Sequence, residues 1–226
     1  MNEGISPKQV IKKLIESGHI NCPNADLGGR STQLQPASLD LRLGYQAYRI
    51  RASFLPGKNR TVKQCLSDVK MHEIDLSSGA VLETGCVYLV PLQEALKLPD
   101  YLSARANPKS STGRLDVFTR VICDGANSFD VIPNGYQGPL YVEIAPRTFS
   151  ILVKPGDRLV QMRFRKGIAK TIRTQTVSID LQGFDSNIVG WRARRHAGLV
   201  DISAVDGHIA RDYWEPLFAE TSQLVL

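Results

Sequence analysis

The N-terminal segment has the hydrophobic spacing of a single helix. Its apolar residues recur at helical intervals, at Val10, Ile11, Leu14 and Ile15. Before them, Ser6 and Gln9 fit a Ser-x-x-Gln capping box, and Pro7 suits the first helical position. Gly18 is placed to end the helix in a left-handed conformation. The pattern predicts one short N-terminal helix.

Beyond Pro36 the pattern changes to the period of two that is typical of β-strands. The segments with a strand-like pattern are 38–43, 86–92, 140–144, 149–153, 158–165 and 172–181. The first of these alternates strictly and is expected to be a half-buried strand that ends at Gly44. Turn signals such as Asn134-Gly135 and Pro155-Gly156 separate the segments. Many short strands and few helices predict a mainly β protein, either a barrel or a sandwich.

The last stretch of the chain differs from the rest. Residues 212–217 are rich in aromatic side chains, and residues 223–226 look like part of a strand. A length of 226 residues corresponds to about one and a half average domains. We therefore predict one domain over residues 1–200 and a C-terminal extension over 201–226. That extension either completes the barrel or begins a second module.

Composition excludes several classes of protein. Hydrophobic residues make up 42% of the chain and charged residues 22%, which is typical of a globular domain and not of a disordered one. No apolar run reaches the ~18 residues of a membrane span, and the first residues lack a signal peptide's apolar core. We expect a cytoplasmic protein with no membrane partner. The net charge of +6 favours anionic partners.

The cysteines give no sign of a metal site. The chain has four cysteines and four histidines, but no Cys-x-x-Cys pair and no histidine next to a cysteine. Structural zinc sites usually show such local spacing. We expect no zinc and interpret the cysteines as free thiols in a reducing compartment.

The densest group of polar side chains is the segment 107–114, Asn-Pro-Lys-Ser-Ser-Thr-Gly-Arg. Lys109, Arg114 and the three hydroxyls between them are donors to phosphate oxygens, so the segment is a candidate anion cradle. It lacks the Gly-x-x-x-x-Gly-Lys-Ser/Thr pattern of a Walker A loop. Considered alone, it is equally well interpreted as an ordinary polar turn.

A second candidate is Glu143, in the strand pattern 140–144. Alternation puts Tyr141 and Glu143 on one face and the aliphatic residues on the other. A lone carboxylate in so apolar a strand is expected to lose part of its solvation, a condition that suits a general base. The alternative is a solvated outer face, where glutamate is common.

Four motifs in order link these segments to a known family. They are Pro36–Gly44, Lys109-Ser110-Ser111-x-x-Arg114, Asp130 through Tyr136-Gln137-Gly138 to Glu143, and Pro155-Gly156-x-x-Leu159-x-Gln161. This order, over residues 7–200, resembles the deoxycytidine triphosphate deaminase branch of the trimeric dUTPase superfamily. The resemblance implies a dUTPase-like distorted β-barrel or jelly roll with a short N-terminal helix. It also implies a homotrimer whose sites lie between subunits.

The resemblance implies roles for individual residues as well. The catalytic positions are Glu143, which activates the attacking water, and Ser110 and Arg114, which hold that water and stabilise charge. The substrate-binding positions are Lys109, Ser111, Asp130, Tyr136, Tyr141, Gln161, Trp191, Arg192 and Arg194. Lys109 and Ser111 would contact phosphate and Asp130 the deoxyribose, and Gly190–His196 resembles a segment that closes over the phosphates. Mg²⁺ is expected only on the nucleotide triphosphate.

The resemblance therefore implies hydrolytic deamination of dCTP to dUTP and ammonia, but several alternatives stay open. A dUTP pyrophosphatase shares the fold, and a bifunctional enzyme would perform both reactions. A catalytically silent nucleotide-binding module is the alternative from another class. Zinc deaminases require His-x-Glu and Pro-Cys-x-x-Cys, which this chain lacks. A nucleic-acid partner is not expected, because the arginines at 192–195 lack interleaved stacking aromatics.

The chain also departs from the family pattern. Lys109 stands where arginine is more common, which keeps the charge but loses the bidentate fork. Extra residues around 124–128 and 131–134 flank the expected base and sugar pocket, so substrate preference is an open question there.

Overall fold

The computed structural model of the chain describes residues 3–25, 27, 32–167, 176–178 and 187–219. The helices in this part are α1 (Lys8–Glu16), α2 (Val62–Val69), α3 (Ser110–Arg114) and α4 (Ala210–Tyr213). None of these described helices has the length and apolar character that crossing a bilayer demands.

Strands dominate the described residues. In chain order they are β1 (Gly4–Ile5), β2 (Ile20–Asn21), β3 (Leu39–Leu41), β4 (Gln46–Ile50), β5 (Lys70–Asp75), β6 (Ala80–Leu82), β7 (Val87–Lys97), β8 (Leu102–Pro108), β9 (Val117–Cys123), β10 (Val131–Ile132), β11 (Gln137–Pro146), β12 (Ile151–Val153), β13 (Val160–Lys166), β14 (Ile188–Ala193), β15 (Val200–Asp201) and β16 (Trp214–Phe218). The prediction of a mainly β protein with a short N-terminal helix is confirmed.

The strands form two main sheets around one core. One sheet has the order β1-β13-β8-β10, with β3 also paired to β13, and the other has the order β5-β4-β7-β11-β9, with β2 on β7. A small sheet, β15-β12-β6, and a two-stranded sheet of β14 and β16 complete the described strands. The buried side chains of both main sheets belong to a single hydrophobic cluster. The result is a distorted barrel, not a closed one.

The N-terminal helix lies where the spacing predicts it, but its cap differs. Helix α1 buries Ile11 and Leu14, and Gly18 after it has φ +75° as expected. The predicted capping box is wrong, because the N-cap is Pro7 and no side chain caps the helix. Ser6 is buried instead, and its N–H donates to the carbonyl of Phe164 because β1 has just paired with β13.

The strand predictions are mostly confirmed, with longer and more buried strands than expected. The segment 140–144 lies in the centre of β11, which is paired on both sides, with β7 and β9. The segment 38–43 contributes only β3, and all three of its residues are buried, so the half-buried prediction is wrong. Strand β3 is covered on one edge by β13 and on the other by backbone bonds to Gln33. Residues 223–226 and most of 172–181 lie outside the described residues.

The C-terminal extension packs on the small sheet. Asp201 in β15 pairs with Leu152 of β12, and this pairing is parallel. Phe149, just before β12, makes edge-to-face contacts with the rings of Tyr213 at 5.7 Å and Trp214 at 5.3 Å. The division of the chain at residue 200 stays a prediction.

A buried carboxylate, Glu94 of β7, ties the loop before β3 to the barrel. Its Oε1 accepts from Arg42 Nε at 2.7 Å and from Gln33 Nε2 at 2.7 Å, and its Oε2 accepts from the Arg42 backbone N–H at 2.8 Å. Gln33 in turn bonds the backbone of Asp40 through both its side chain and its carbonyl. Burial, followed by the charge of Glu94, raises the pKa of the adjacent Cys22 thiol to about 11. This network fixes the position of Asp40.

We expect Glu94→Gln to lower the free energy of unfolding by about 2 kcal/mol, because it weakens buried hydrogen bonds to a charged group. Glu73 provides a matched control, since it is exposed and its ion pair, with Lys70 at 2.6 Å, lies on the surface. Glu73→Gln should change the unfolding free energy by less than about 0.5 kcal/mol. Urea denaturation at one protein concentration measures both. Equal effects of the two substitutions would contradict the role given to Glu94.

Candidate functional site

Two distant motifs meet at one carbonyl oxygen. The backbone N–H of Lys109 and the hydroxyl of Thr112 both donate to the carbonyl of Leu159, at 3.0 and 2.8 Å. Thr112 is buried, so α3 is anchored while Ser110 and Ser111 stay exposed. This double hydrogen bond positions the segment 107–114 against the start of β13.

Beside Lys109 lies a cavity of about 500 Å³, named here the cradle. Its lining includes Ser38, Asp40, Lys109, Ser110, Ser111, Gln161 and Arg163. The hydroxyl of Ser38 donates to Gln161 Oε1 at 3.1 Å, and the ammonium of Lys109 pairs with the buried carboxylate of Asp40. Arg114, at the end of α3, is exposed and is not among the lining residues. Hydroxyl, amide and cationic donors make the cradle suited to an anion.

A second group of predicted residues lies in the hairpin between β9 and β11. Asp130 adopts φ +62°, and its Oδ1 accepts the Val121 N–H at 2.7 Å. Burial raises the pKa of the Asp130 carboxyl, while this hydrogen bond and the charge of Arg120 act in the opposite direction. The Asp130 side chain is therefore held in a fixed orientation by the backbone it faces.

The side chain of Tyr136 is buried in the same hairpin and joins two parts of its backbone. Its hydroxyl donates to the carbonyl of Pro139 at 2.6 Å and accepts the Asp124 N–H at 3.2 Å. Burial raises its pKa, so the phenol is neutral at physiological pH. Gly138 has φ +155°, and a Cβ there would lie 2.6 Å from the Tyr136 hydroxyl, so only glycine fits.

Glu143 is 2% exposed, so the interpretation of a solvated outer face is wrong. It lies opposite Arg120 in the β9–β11 pairing, and its Oε1 accepts from Arg120 Nε at 3.1 Å and Nη2 at 2.5 Å. Its other oxygen, Oε2, is buried and has no hydrogen-bond partner among the described residues. An unsatisfied buried acceptor is costly, so Oε2 is a position at which a hydrogen-bond donor is expected.

Sequence reasoning missed Arg120, the partner of Glu143. Its guanidinium lies 3.7 Å from the centroid of the Phe129 ring and donates to Ser53 Oγ at 2.7 Å. The signal was available, since Arg120 is a lone charge in the apolar strand pattern 117–123, just as Glu143 is in its own strand.

The other predicted residues lie in two places. Tyr141 shares the face of Glu143 on β11 and is 3% exposed, and burial raises its pKa to about 12. Trp191 is exposed on β14. Nearby, Arg192 pairs with Glu215 at 2.5 Å and Arg194 with Glu215 at 3.9 Å.

One chain therefore holds the predicted site in three separate groups. The cradle contains Lys109, Ser110, Ser111 and Gln161, the hairpin region contains Asp130, Tyr136, Tyr141 and Glu143, and the β14–β16 sheet region contains Trp191, Arg192 and Arg194. Arg114, exposed at the end of α3, belongs to none of the three. Within the described residues, no hydrogen bond or ion pair joins one group to another. The same part of the chain holds no cluster of three His, Cys, Asp or Glu side chains arranged for a metal ion.

Comparison with known proteins decides what these motifs belong to. The family model for the N-terminal domain of 2'-deoxycytidine 5'-triphosphate deaminase matches residues 2–168, and the model for its C-terminal domain matches residues 152–226. The chain belongs to the dCTP deaminase family. The resemblance noted from the four motifs is thereby confirmed.

Individual members of the dCTP deaminase family agree with this. The chain is 48% identical to 2'-deoxycytidine 5'-triphosphate deaminase from Agrobacterium tumefaciens, with a TM-score of 0.89 over 98% of this chain and 72% of that one. A "dCTP deaminase, dUMP-forming" from Persephonella marina is 30% identical over 69% of this chain and 80% of its own. A "dCTP deaminase" from Haloarcula marismortui is 30% identical over 71% of this chain and 78% of its own.

Asp130 makes the stability of this dCTP deaminase family member depend on pH. A raised pKa in the folded state means that the Asp130 contribution is complete below the unfolded-state value of 3.8 and is lost as the pH rises through the folded-state value. An asparagine side chain at this position would keep the acceptor for the Val121 N–H without the charge. We expect Asp130→Asn to raise the melting temperature more at about pH 7 than at about pH 4.

Thermal unfolding at both pH values measures this difference. Asp68→Asn is the control, because Asp68 has a 64% exposed side chain and pairs with Arg60 on the surface. A shift for Asp130→Asn that is the same at both pH values, or larger at the lower one, would refute the argument from burial.

Proposed function

We propose that the protein catalyses the hydrolytic deamination of dCTP to dUTP and ammonia. The observation that carries the proposal is the buried, unpartnered Oε2 of Glu143, fixed in place by the ion pair of Oε1 with Arg120. A carboxylate held by one oxygen and free at the other is suited to take a proton from water. Membership of the dCTP deaminase family supports this choice of reaction.

In the proposed reaction, Glu143 accepts a proton from water as the water oxygen bonds to C4 of cytosine. The tetrahedral intermediate then releases the exocyclic nitrogen, which leaves as ammonia after taking up that proton, while the second proton of the water passes to N3 as the C4 carbonyl of uracil forms. Ser110 and Arg114 hold the water and stabilise the developing charge, while Asp130 binds the deoxyribose. Water supplies the oxygen of the product, so dCTP and water yield dUTP and ammonia with no other reactant.

The cradle is proposed to hold the triphosphate. Lys109, Ser111 and Gln161 provide cationic, hydroxyl and amide donors around one cavity. Its carboxylate, Asp40, is already paired with Lys109, so the lining suits phosphate oxygens better than a metal ion. Mg²⁺ would therefore enter as part of the nucleotide, bound to its phosphates. The protein is expected to act in the cytoplasm.

A second candidate is the formation of dUMP from dCTP. It is favoured by the Persephonella marina relative, which carries that name and is as similar to this chain as the Haloarcula marismortui relative. Incubation with dCTP or dUTP and Mg²⁺, with ammonia and pyrophosphate measured separately, distinguishes the candidates. Ammonia alone supports the proposal and both products support the dUMP-forming reaction. Pyrophosphate from dUTP alone, or no product, would refute deamination.

We expect Glu143→Gln to keep dCTP affinity within a few fold and to lower kcat at least ~100-fold, because a general base contributes ~10²–10⁴ in rate. Glutamine retains an acceptor for Arg120, so the fold should be preserved. The matched control is Glu83→Gln, an exposed glutamate outside all three groups. Near wild-type turnover of Glu143→Gln would refute the role given to Glu143.

We also propose that the active unit is a homotrimer with composite sites. Support comes from the separation of the cradle from Glu143 within one chain and from the exposed aromatic side chain of Phe118 beside Arg120. Ring-shaped assembly around a threefold axis places one surface of each subunit against a different surface of its neighbour. A cradle from one subunit and a Glu143 from the next would then form a complete site.

Subunit complementation tests this arrangement. Ser110→Ala and Glu143→Gln are each expected to be nearly inactive, but a refolded equimolar mixture should recover about one quarter of the wild-type rate, since random assembly leaves that share of neighbouring pairs intact. Light scattering coupled to size exclusion measures the mass of the assembly. No recovery in mixed trimers, or a monomer that is fully active, would contradict composite sites.

A further inference from the structure

The charge inside the cradle is smaller than the sequence suggests. Lys109 is paired with the buried Asp40, and Arg192 and Arg194 share Glu215 on a different part of the surface. The cations that the sequence assigned to phosphate are thus partly neutralised within the chain. A triphosphate carries several negative charges, so the cradle needs a further cation.

The position of Arg163 makes it the candidate for this further cation. Arg163 lies on β13, two residues after Gln161, so both side chains are on the same face of the strand. The alternate residues Met162 and Phe164 face the core and are fully buried. Arg163 lines the cradle together with Lys109, Ser110 and Ser111. Two strand residues span about 7 Å, so Gln161 and Arg163 face different parts of an extended ligand.

The guanidinium of Arg163 is oriented but not neutralised. Its Nη1 donates to Asn107 Oδ1 at 3.3 Å, and Asn107 lies just before the Lys109-Ser110-Ser111 segment. No carboxylate of the described residues forms an ion pair with Arg163. One of its five N–H donors is therefore used for orientation, and the others remain for an anion.

The neighbouring surface strengthens the positive field. A groove of about 720 Å³ continues from Arg163 along the same sheet and is also lined by Arg105 and Arg165. Arg105 lies directly opposite Arg163 in the β8–β13 pairing. Among the described residues, the lining of this groove includes no aspartate or glutamate. The groove lies outside the cradle, so Arg105 acts on an anion bound in the cradle only through a long-range field that salt screens.

We propose that Arg163 binds the terminal phosphates of the nucleotide and so makes the cradle selective for a triphosphate over a monophosphate. This proposal rests on the proposed function only for the identity of the nucleotide. Arg163 pairs with phosphate through its planar fork, which is the geometry that Lys109 lacks. Its role is binding and selectivity, and it takes no part in the proton transfers at C4.

The test compares Arg163→Gln with Arg105→Gln by isothermal titration calorimetry. Both substitutions remove one positive charge from the same sheet face, but Arg105 does not line the cradle. The probes are dCTP, dCMP and inorganic tripolyphosphate. We expect Arg163→Gln to weaken dCTP and tripolyphosphate binding at least ~10-fold, since hydrogen bonds between two charged groups are among the stronger ones. We expect dCMP to change by less than ~3-fold, and Arg105→Gln to change every ligand by less than ~3-fold.

The outcomes separate this proposal from the proposed function. Equal effects of the two substitutions would mean that only the general field matters, and an equal loss for dCTP and dCMP would remove the selectivity role. Either result overturns the proposal for Arg163 even if the protein deaminates dCTP. If no deamination occurs but tripolyphosphate binding still depends on Arg163, the proposed function fails and the phosphate site stands. Partial rescue of dCTP affinity by Arg163→Lys, below the wild-type level, would support the fork geometry.

Discussion

The fold depends on the buried carboxylate of Glu94. Glu94 lies on the longest strand of the barrel and satisfies donors from Arg42 and Gln33, which belong to the irregular segment around β3. A buried charge is tolerated only when its hydrogen bonds are formed. The segment around β3 must therefore adopt the backbone conformation in which Arg42 and Gln33 donate to Glu94. The same conformation places Asp40 beside Lys109. The geometry of the cradle thus depends on the hydrogen bonds of Glu94, which lie at the edge of β3 opposite to β13.

The position of the catalytic candidate follows from a different constraint. Strand β11 is central in its sheet, and its register sets Glu143 against Arg120 with little freedom for either side chain. The cradle belongs to the other sheet, at the start of β13. Within the described residues, no hydrogen bond or ion pair joins Glu143 to the cradle. A site that uses both groups is the composite arrangement proposed above.

The sequence predicted the helices and strands better than it predicted the burial and the pairing of their side chains. The spacing of Ile11 and Leu14 identified α1, and the motif order identified the family, because both are local or ordered along the chain. Burial of Asp40 and the pairing of Glu143 with Arg120 were not predicted, since they arise from strands distant in sequence. Ser6 illustrates the same limit, because a capping box that is plausible in isolation gave way to the pairing of β1 with β13. The charge balance of the cradle likewise required the structure, since Lys109 and Asp40 are 69 residues apart.

The two tryptophans of the chain have a practical consequence for spectroscopy. Trp191 is 53% exposed on β14, whereas the Trp214 ring on β16 contacts the edge of Phe149 at 5.3 Å. These are the only tryptophans among the 226 residues, and both belong to the two-stranded sheet of β14 and β16. Intrinsic tryptophan emission therefore monitors this sheet and its contact with the barrel. A change in emission when nucleotide is added would report events at Arg192 and Arg194, and a silent spectrum would carry no information about Glu143 or the cradle.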